Sequence, residues 1–335
     1  MRAERTRESV LRVTTYNAHL FGDSLTVLGR WPGIGRFDDS RRVAELCNLL
    51  RREAGEYGVD VVGLTEVWDR RIATLLASEL SDTYPYAAIG DLGASASALL
   101  ADRIPRQLLG RTPRASRCIG LGSGLLLLSK RQLVLPAVFL EFPRPSWLHV
   151  NPLFLNVDAF AAKGILRVLV EPEPGFRVAF HLVHLQADYV RASLQGVRDK
   201  QLSALAALVQ MDHETVSVAG VVCIGDLNVA AEGAEHGEML SRLGMLDAFL
   251  AHSSEHRVTG TPPYTYDALM NPLVTMFAPD AGAIRQRLDY VLVAPQVGRS
   301  RAEVREAVVV PFLGQSDAPI SDHFAVRAEI SFSWS

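Results

Sequence analysis

The chain is 335 residues long, 48% apolar and 21% charged, which excludes global disorder and leaves room for one large domain or two ordinary ones. A net charge of −3 gives no bulk attraction for nucleic acid. The three cysteines, Cys47, Cys118 and Cys223, have no paired spacing and read as thiols of a reducing compartment. Met1–Val10 carries no apolar signal core, and no apolar run reaches the ~18 residues of a membrane span. A soluble, cytoplasmic and monomeric protein is therefore expected, peripheral at a membrane at most.

Leu11–Tyr16 is a β-rich run ending at Asn17, followed by His19. Residues 23–37 read as a loop, and Asp38-Asp39-Ser40 caps a helix through about Glu53, with Val43, Leu46 and Leu50 on one face. Val59–Leu64 reads as a buried strand that delivers Glu66 and Trp68-Asp69, with a helix over Arg70–Leu80. After a short strand at Tyr84–Ile89, residues 90–120 lose their period and read as an insertion with one short helix near Ala96–Arg103. Gly124–Leu128 and Val134–Leu140 are expected to pair as a hairpin around Ser129-Lys130-Arg131. Ile165–Val170 and Arg177–His184 flank a Glu-Pro-Glu-Pro-Gly turn. Val190–Met211 has a helical pattern, and Val221–Ile224 is a fully apolar strand leading into Gly225-Asp226-Leu227-Asn228. Further strands fall at Leu288–Val293, Glu303–Val310 and Phe324–Phe332, with Ser321-Asp322-His323 just before the last. With no linker at mid-chain, one α/β domain over 1–335 with two packed sheets is expected, its core about 11–332.

Asn17, Glu66, His184, Asp226 with Asn228, and Asp322 with His323 thus sit at the ends of buried strands, and Asp289 lies within one. Each alone would pass as a capped turn or a satisfied polar group; together they describe a reaction. Glu66, Asn17 and Asp322 make a sparse oxygen site of the kind Mg²⁺ prefers, and no Cys/His grouping has zinc spacing. His323, oriented by Asp289, can deprotonate a water that Asp226 aligns. Asn228 and His184 can donate to phosphoryl oxygens as charge develops. That set describes in-line hydrolysis of a phosphoester.

The motifs Thr15-Tyr16-Asn17, Leu64-Thr65-Glu66-Val67-Trp68, Gly225-Asp226-Leu227-Asn228, Leu288-Asp289-Tyr290 and Ser321-Asp322-His323 occur in the order of the endonuclease/exonuclease/phosphatase superfamily, which the chain resembles. The resemblance implies a four-layered α/β sandwich, two mixed sheets flanked by helices, and a divalent-metal phosphoesterase using Mg²⁺, or in its place Mn²⁺ or Co²⁺. Within that superfamily, Glu66-Val67-Trp68-Asp69, Gly122-Ser123-Gly124-Leu125, Asp158 with Lys163-Gly164, and His184-Leu185-Gln186-Ala187 look like neutral sphingomyelinases. Arg198, Gln201, Thr265-Tyr266-Asp267 and Asn271 fit the same branch. In that likeness Lys163 neutralises a phosphate oxygen.

The substrate implied is a phospholipid, sphingomyelin-like, with a nuclease or phosphatase, or an inactive binding module, as alternatives. Apolar segments 25–34 and 142–154, with Trp31 and Trp147, are expected to touch a membrane surface, or else to cover the core. Arg103, Arg106, Arg111, Arg114 and Arg117 are a basic concentration that suits an acidic lipid surface as well as a nucleic-acid backbone.

Overall fold

The computed structural model describes residues 7–21, 39–90, 94–95, 121–142, 161–188, 194–231, 233–253, 263–277 and 282–334. The strands are β1 Arg7–Leu20, β2 Val61–Asp69, β3 Tyr86–Ile89, β4 Ala94–Ser95, β5 Leu121–Ser129, β6 Gln132–Glu141, β7 Gly164–Glu173 and β8 Phe176–His184. They continue with β9 Gly220–Asp226, β10 Leu246–Asp247, β11 Tyr266–Asp267, β12 Arg285–Gln286, β13 Asp289–Val293, β14 Gln296–Val297, β15 Ser300–Val310 and β16 Ala325–Trp334. The helices are α1 Asp39–Glu56, α2 Arg70–Glu79, α3 Gln195–Glu214, α4 Ala234–Leu243, α5 Ala248–Ser253 and α6 Pro272–Phe277.

Two seven-stranded sheets form, in the orders β14-β15-β16-β1-β2-β5-β3 and β10-β13-β9-β8-β7-β6-β4. Each is mixed. β1 and β2 run parallel, as do β8 and β9, and the chain between each pair includes a helix, α1 or α3. The strand composition explains the layering. On β8, Val178, Phe180 and Leu182 point into the core between the sheets, while Ala179 and Val183 point to the α3 and α4 side. On the other sheet, Val13, Val61 and Leu127 face inward, whereas Tyr16, Leu64 and Leu128 pack with Leu46 and Leu50 of α1 and Leu76 of α2. Both faces of each central strand are dry, hence the near-continuous apolar runs. The result is the expected order of helices, sheet, sheet, helices.

One expectation fails. β5 and β6 do not form a hairpin: β5 pairs with β2 and β3, and β6 pairs with β7 and β4 in the other sheet. The short connection is a corner between sheets. Ser129 Oγ takes Arg131 N at 2.9 Å, Lys130 N donates to Asp60 O at 2.8 Å, and Arg131 Nε reaches Asp60 Oδ1 at 2.8 Å. These bonds tie the turn to the segment before β2, which fixes β5 to its sheet and sends β6 to the next. The periodicity of both runs was legible; a three-residue turn alone did not distinguish a hairpin from a sheet crossing.

The expected membrane segments 25–34 and 142–154, the helix at 96–103 and the arginines of 103–117 lie outside the described residues, apart from Phe142, which is buried in the core. Among the described residues no helix is long and apolar enough to cross a membrane.

Candidate active site

The carboxyl ends of the two parallel pairs, β1 with β2 and β8 with β9, bring the polar residues together, where open α/β sheets commonly place ligands. Register does part of the work. His184 on β8 stands opposite Asp226 on β9, and Asp226 stands opposite Asp289 on β13, so three functional groups lie at one level across neighbouring strands. On the facing sheet, β1 and β2 both continue past Asn17 and Glu66, and each has a register shift at that point. Such irregularities re-aim side chains. Glu66 accordingly has φ 57, and Asn228 has φ 49, a left-handed backbone that non-glycine residues occupy mainly where the surroundings impose it.

Gly225 is required by a close approach. Its φ is 133, and a Cβ placed there would lie 1.9 Å from the carbonyl oxygen of Val183 on β8. The residue lets β9 press against β8 just before Asp226 leaves the strand.

Asn17 ties the two sheets at the centre of the cluster. Its Nδ2 donates to Glu66 Oε1 at 3.0 Å and to Asp226 Oδ2 at 3.0 Å. Its Oδ1 accepts His19 N at 3.1 Å. The amide therefore aligns two carboxylates, and its oxygen turns to the backbone rather than to the same point as Glu66. His323 Nδ1 meets Asp289 Oδ2 at 2.7 Å, and His323 Nε2 faces Asp226 Oδ2 at 4.0 Å. Asp226 Oδ1 accepts the backbone N–H of Asn228 at 3.0 Å.

Lys163 is buried rather than a surface lysine. Its Nζ lies 3.1 Å from His184 Nε2 and donates to Leu185 O at 2.9 Å; Asn228 Nδ2 donates to that same carbonyl at 3.1 Å. When the ammonium donates to Nε2, His184 carries its own proton on Nδ1. His184 Nε2 is 3.8 Å from Glu66 Oε1 and 3.7 Å from Asp226 Oδ2, and the Trp68 ring packs over the imidazole with centroids 5.6 Å apart.

Ser321, Thr265 and Asn271 hold these groups without joining them. Ser321 Oγ donates to Asn17 O at 2.7 Å, Asn271 Nδ2 donates to Ser321 O at 2.8 Å, and Thr265 Oγ1 accepts Asp289 N at 3.2 Å. Arg198 and Gln201 act on the loop after β8, where Gln201 Oε1 accepts Gln186 N at 2.8 Å and Arg198 Nη1 donates to Gln186 O at 3.1 Å.

Two groups at the site carry no assigned role in the sequence reading. His19 Nδ1 lies 3.3 Å from Glu66 Oε2 and 3.4 Å from Asp322 Oδ1. The period-two spacing from Asn17 put it on the same strand face, which is the signal that could have found it. Arg42 on α1, whose guanidinium donates to Ala18 O and His19 O at 2.9 Å and to Ile320 O at 2.8 Å, was hidden within an ordinary amphipathic helix.

The charge balance is negative. Glu66, Asp226, Asp289 and Asp322 face Lys163 and the imidazoles. Burial pushes the Glu66 carboxyl up, but the hydrogen bonds and charges of His19, His184 and Asn17 outweigh it and hold the group well below its usual value. Burial, with the charge of Asp289 next, pushes Asp226 up to about 7. Burial lowers His323, but the Asp289 contact and the charges of Asp226 and Asp322 lift it well above an ordinary histidine. Such a cluster takes up a proton or a cation. Two sets of donors are grouped closely enough to share an ion: Glu66, His184 and Asp226, and Asp226, Asp289 and His323, with ligand atoms within 4.8 Å of one another in each. Asp289 Oδ1 is buried and has no hydrogen-bond partner. The donor set fits a divalent cation.

Residues 14–323 match the Endonuclease/Exonuclease/phosphatase family, and the chain belongs to it. Sphingomyelinases are among the proteins it is similar to, as the local motifs implied. It is 23% identical over 294 residues to Sphingomyelinase C 2 of Leptospira interrogans, covering 85% of this chain but 39% of that protein, so the chain spans about two fifths of that relative's length. The fold matches the crystal structure of sphingomyelinase C from Streptomyces griseocarneus with a TM-score of 0.64 and 22% identity, over 96% of this chain and 99% of that one. It also matches TDP2 from D. rerio complexed with single-strand DNA product, with a TM-score of 0.58 and 14% identity, over 96% of this chain and 99% of that one.

Proposed function

We propose that the chain is a divalent-cation-dependent phosphodiesterase that hydrolyses a phospholipid of the sphingomyelin type and releases its phosphorylated head group. The observation that carries the reading is the pairing of His323 with Asp289 at 2.7 Å while its other ring nitrogen faces Asp226 at 4.0 Å. Both groups are within reach of one water oxygen at about 2.8 Å each. In this reading the carboxylate charges that lift His323 are offset by the bound cation, so the ring is neutral and its Nε2 takes the proton of the attacking water. Asp289 holds the ring in the tautomer that leaves Nε2 free to accept it, and Asp226 orients the water.

Glu66 and Asp322 hold the cation, with Asn17 fixing Glu66, and Mg²⁺ suits their hard oxygens, Mn²⁺ and Co²⁺ being the substitutes. When bound, the ion polarises a phosphoryl oxygen. Asn228 and Lys163 donate to the developing charge on the phosphoryl oxygens. His184, with Nε2 turned to Lys163, orients that ammonium as well as lining the site. Sphingomyelin is favoured by the likeness to two sphingomyelinases and by the buried Lys163, and contact with a lipid surface belongs to this reading. A nuclease or phosphatase of the same family is the second reading, favoured by the likeness to a DNA-bound enzyme. An inactive binding module is disfavoured because every acid, amide and histidine the reaction needs is present.

A panel of sphingomyelin, phosphatidylcholine and single-stranded and duplex DNA, each with Mg²⁺, tests the proposal. Release of the head group from sphingomyelin is the expected result. Turnover of DNA alone overturns the lipid reading and leaves the phosphodiesterase class standing.

A further inference from the structure

Two side chains of the Thr265-Tyr266-Asp267 motif are spent on the protein itself. Thr265 Oγ1 accepts Leu288 N at 3.0 Å and Asp289 N at 3.2 Å. Asp267 Oδ1 accepts Leu269 N at 2.9 Å and Met270 N at 3.2 Å, and its Oδ2 accepts Arg285 Nε at 3.1 Å. Both residues are fully buried. Tyr266 alternates with them along β11, is only half-buried, and forms no hydrogen bond through its hydroxyl among the described residues.

Its ring lies against His323, with centroids 5.1 Å apart and planes at 51°. The backbone holds it there. Phe324 N donates to Thr265 O at 2.7 Å and Thr265 N donates to Gln286 O at 3.1 Å, so β11 is tied to the residue after His323 and to β12. His184, Asp226 and Asp289 form a row across β8, β9 and β13. Lys163 stands at the His184 end of that row, and Tyr266 stands at the end where His323 meets Asp289. A tyrosine is a protonated donor at neutral pH by its ordinary chemistry. Burial first, and then the charges of Asp322, Glu66 and Asp226, push this one further from ionising. The hydroxyl therefore lies in the field of the acids assigned above to the cation and the water, and none of them accepts its proton.

We infer that the Tyr266 hydroxyl is a catalytic donor, which gives a hydrogen bond to a phosphoryl oxygen of the diester as negative charge builds there. It does so from the His323 end of the site, as Lys163 does from the His184 end. A preorganised neutral donor stabilises such charge without a proton transfer. A phenol held this far from ionising is a poor general acid, so its part is the hydrogen bond alone. The inference rests on the phosphodiesterase reading given above and adds a donor to it.

Steady-state hydrolysis of sphingomyelin, or of DNA should the chain turn over that instead, by wild type, Tyr266→Phe and Tyr266→Leu tests it, with calorimetric titration of Mg²⁺ into each. Phenylalanine keeps the ring against His323 and removes only the hydroxyl, whereas leucine removes both. Tyr266→Phe is expected to lower kcat roughly 10–100-fold, the range for a hydrogen bond to a charged group. KM and Mg²⁺ affinity should change less than about threefold, as for an interaction made in the transition state. Wild-type activity in Tyr266→Phe, with the loss confined to Tyr266→Leu, would show that the ring works by packing on His323 and overturns the inference. A loss carried wholly by KM, or a fall in Mg²⁺ affinity that matches the fall in activity, overturns it too. A wild-type chain that cleaves neither lipid nor DNA takes the phosphodiesterase reading and this inference down together. An active wild type with an indifferent Tyr266→Phe removes the inference alone.

Discussion

Asp289 Oδ2 meets His323 Nδ1 at 2.7 Å, while Asp289 Oδ1 is buried with no hydrogen-bond partner. The carboxylate is thus committed to one imidazole nitrogen, and replacing it by an isosteric amide should expose what that commitment does. Asp289→Asn keeps the shape but can offer a donor to Nδ1, so the proton moves to Nε2 and the proposed base is lost. The expected fall in kcat is roughly 10²–10⁴-fold, with KM little changed, as for removal of general-base catalysis. His323→Ala should fall at least as far with an unchanged circular dichroism spectrum. Activity that survives either change would show that another group takes the proton.

Lys163 is buried beside His184 and anchored to Leu185 O, so its charge is placed rather than mobile. Lys163→Met removes the charge and keeps most of the apolar stem. The expected loss is about 10²–10³-fold in kcat for a phosphodiester, the range for one preorganised donor to developing charge. Lys163→Arg should not rescue, because a planar fork does not replace a compact ammonium in a packed site. A variant that raises KM alone would place Lys163 in ground-state binding instead.

Gly225 carries the mechanical side of the site. A Cβ there meets the Val183 carbonyl oxygen at 1.9 Å, and the φ of 133 is itself unfavourable to any side chain. Gly225→Ala should therefore destabilise the chain by about 2–4 kcal/mol through backbone strain and overpacking. Urea unfolding measures this. A midpoint unchanged from wild type would mean that β9 can move away from β8 without penalty.

The legibility of the chain follows from what each feature depends on. The apolar strands were readable because both faces of a central strand are dry, as Val221–Ile224 shows. The polar strand ends were readable because five ends of buried strands carry residues that cannot be buried cheaply without partners. The partnership of His184 with Lys163, by contrast, joins positions 21 apart, one just before β7 and the other at the end of β8, and local pattern does not encode which histidine nitrogen faces which group. Arg42 escaped because its work is done by hydrogen bonds to carbonyl oxygens, which leave no mark in residue type at the receiving positions. The β5–β6 corner escaped because sheet membership is decided by Asp60 and by strands far away in sequence.

A second buried network, remote in chemistry from the reaction, lets acid stability be predicted with its sign. Asp212 on α3 is fully buried, accepts Arg167 Nε at 2.9 Å on Oδ2, and meets His181 Nε2 at 2.9 Å. Burial raises the carboxyl, but the hydrogen bonds from His181 and Arg167 and their charges outweigh it, leaving it below an ordinary aspartate. A native value below the unfolded one means that the unfolded chain takes the proton first as pH falls. The stability from this group is therefore fully present above the unfolded value of about 3.9 and is lost as pH drops below it toward the native value. Asp212→Asn should cost about 2–4 kcal/mol at pH 7, because the partly buried Arg167 and the buried His181 lose their counter-charge. It should also flatten the acid limb: the gap in urea midpoint between wild type and variant stays constant from pH 7 to about 5 and narrows below about 4. A gap that stays constant down to the lowest pH would mean that Asp212 titrates alike in both states, and that the network holds the helix by packing rather than by charge.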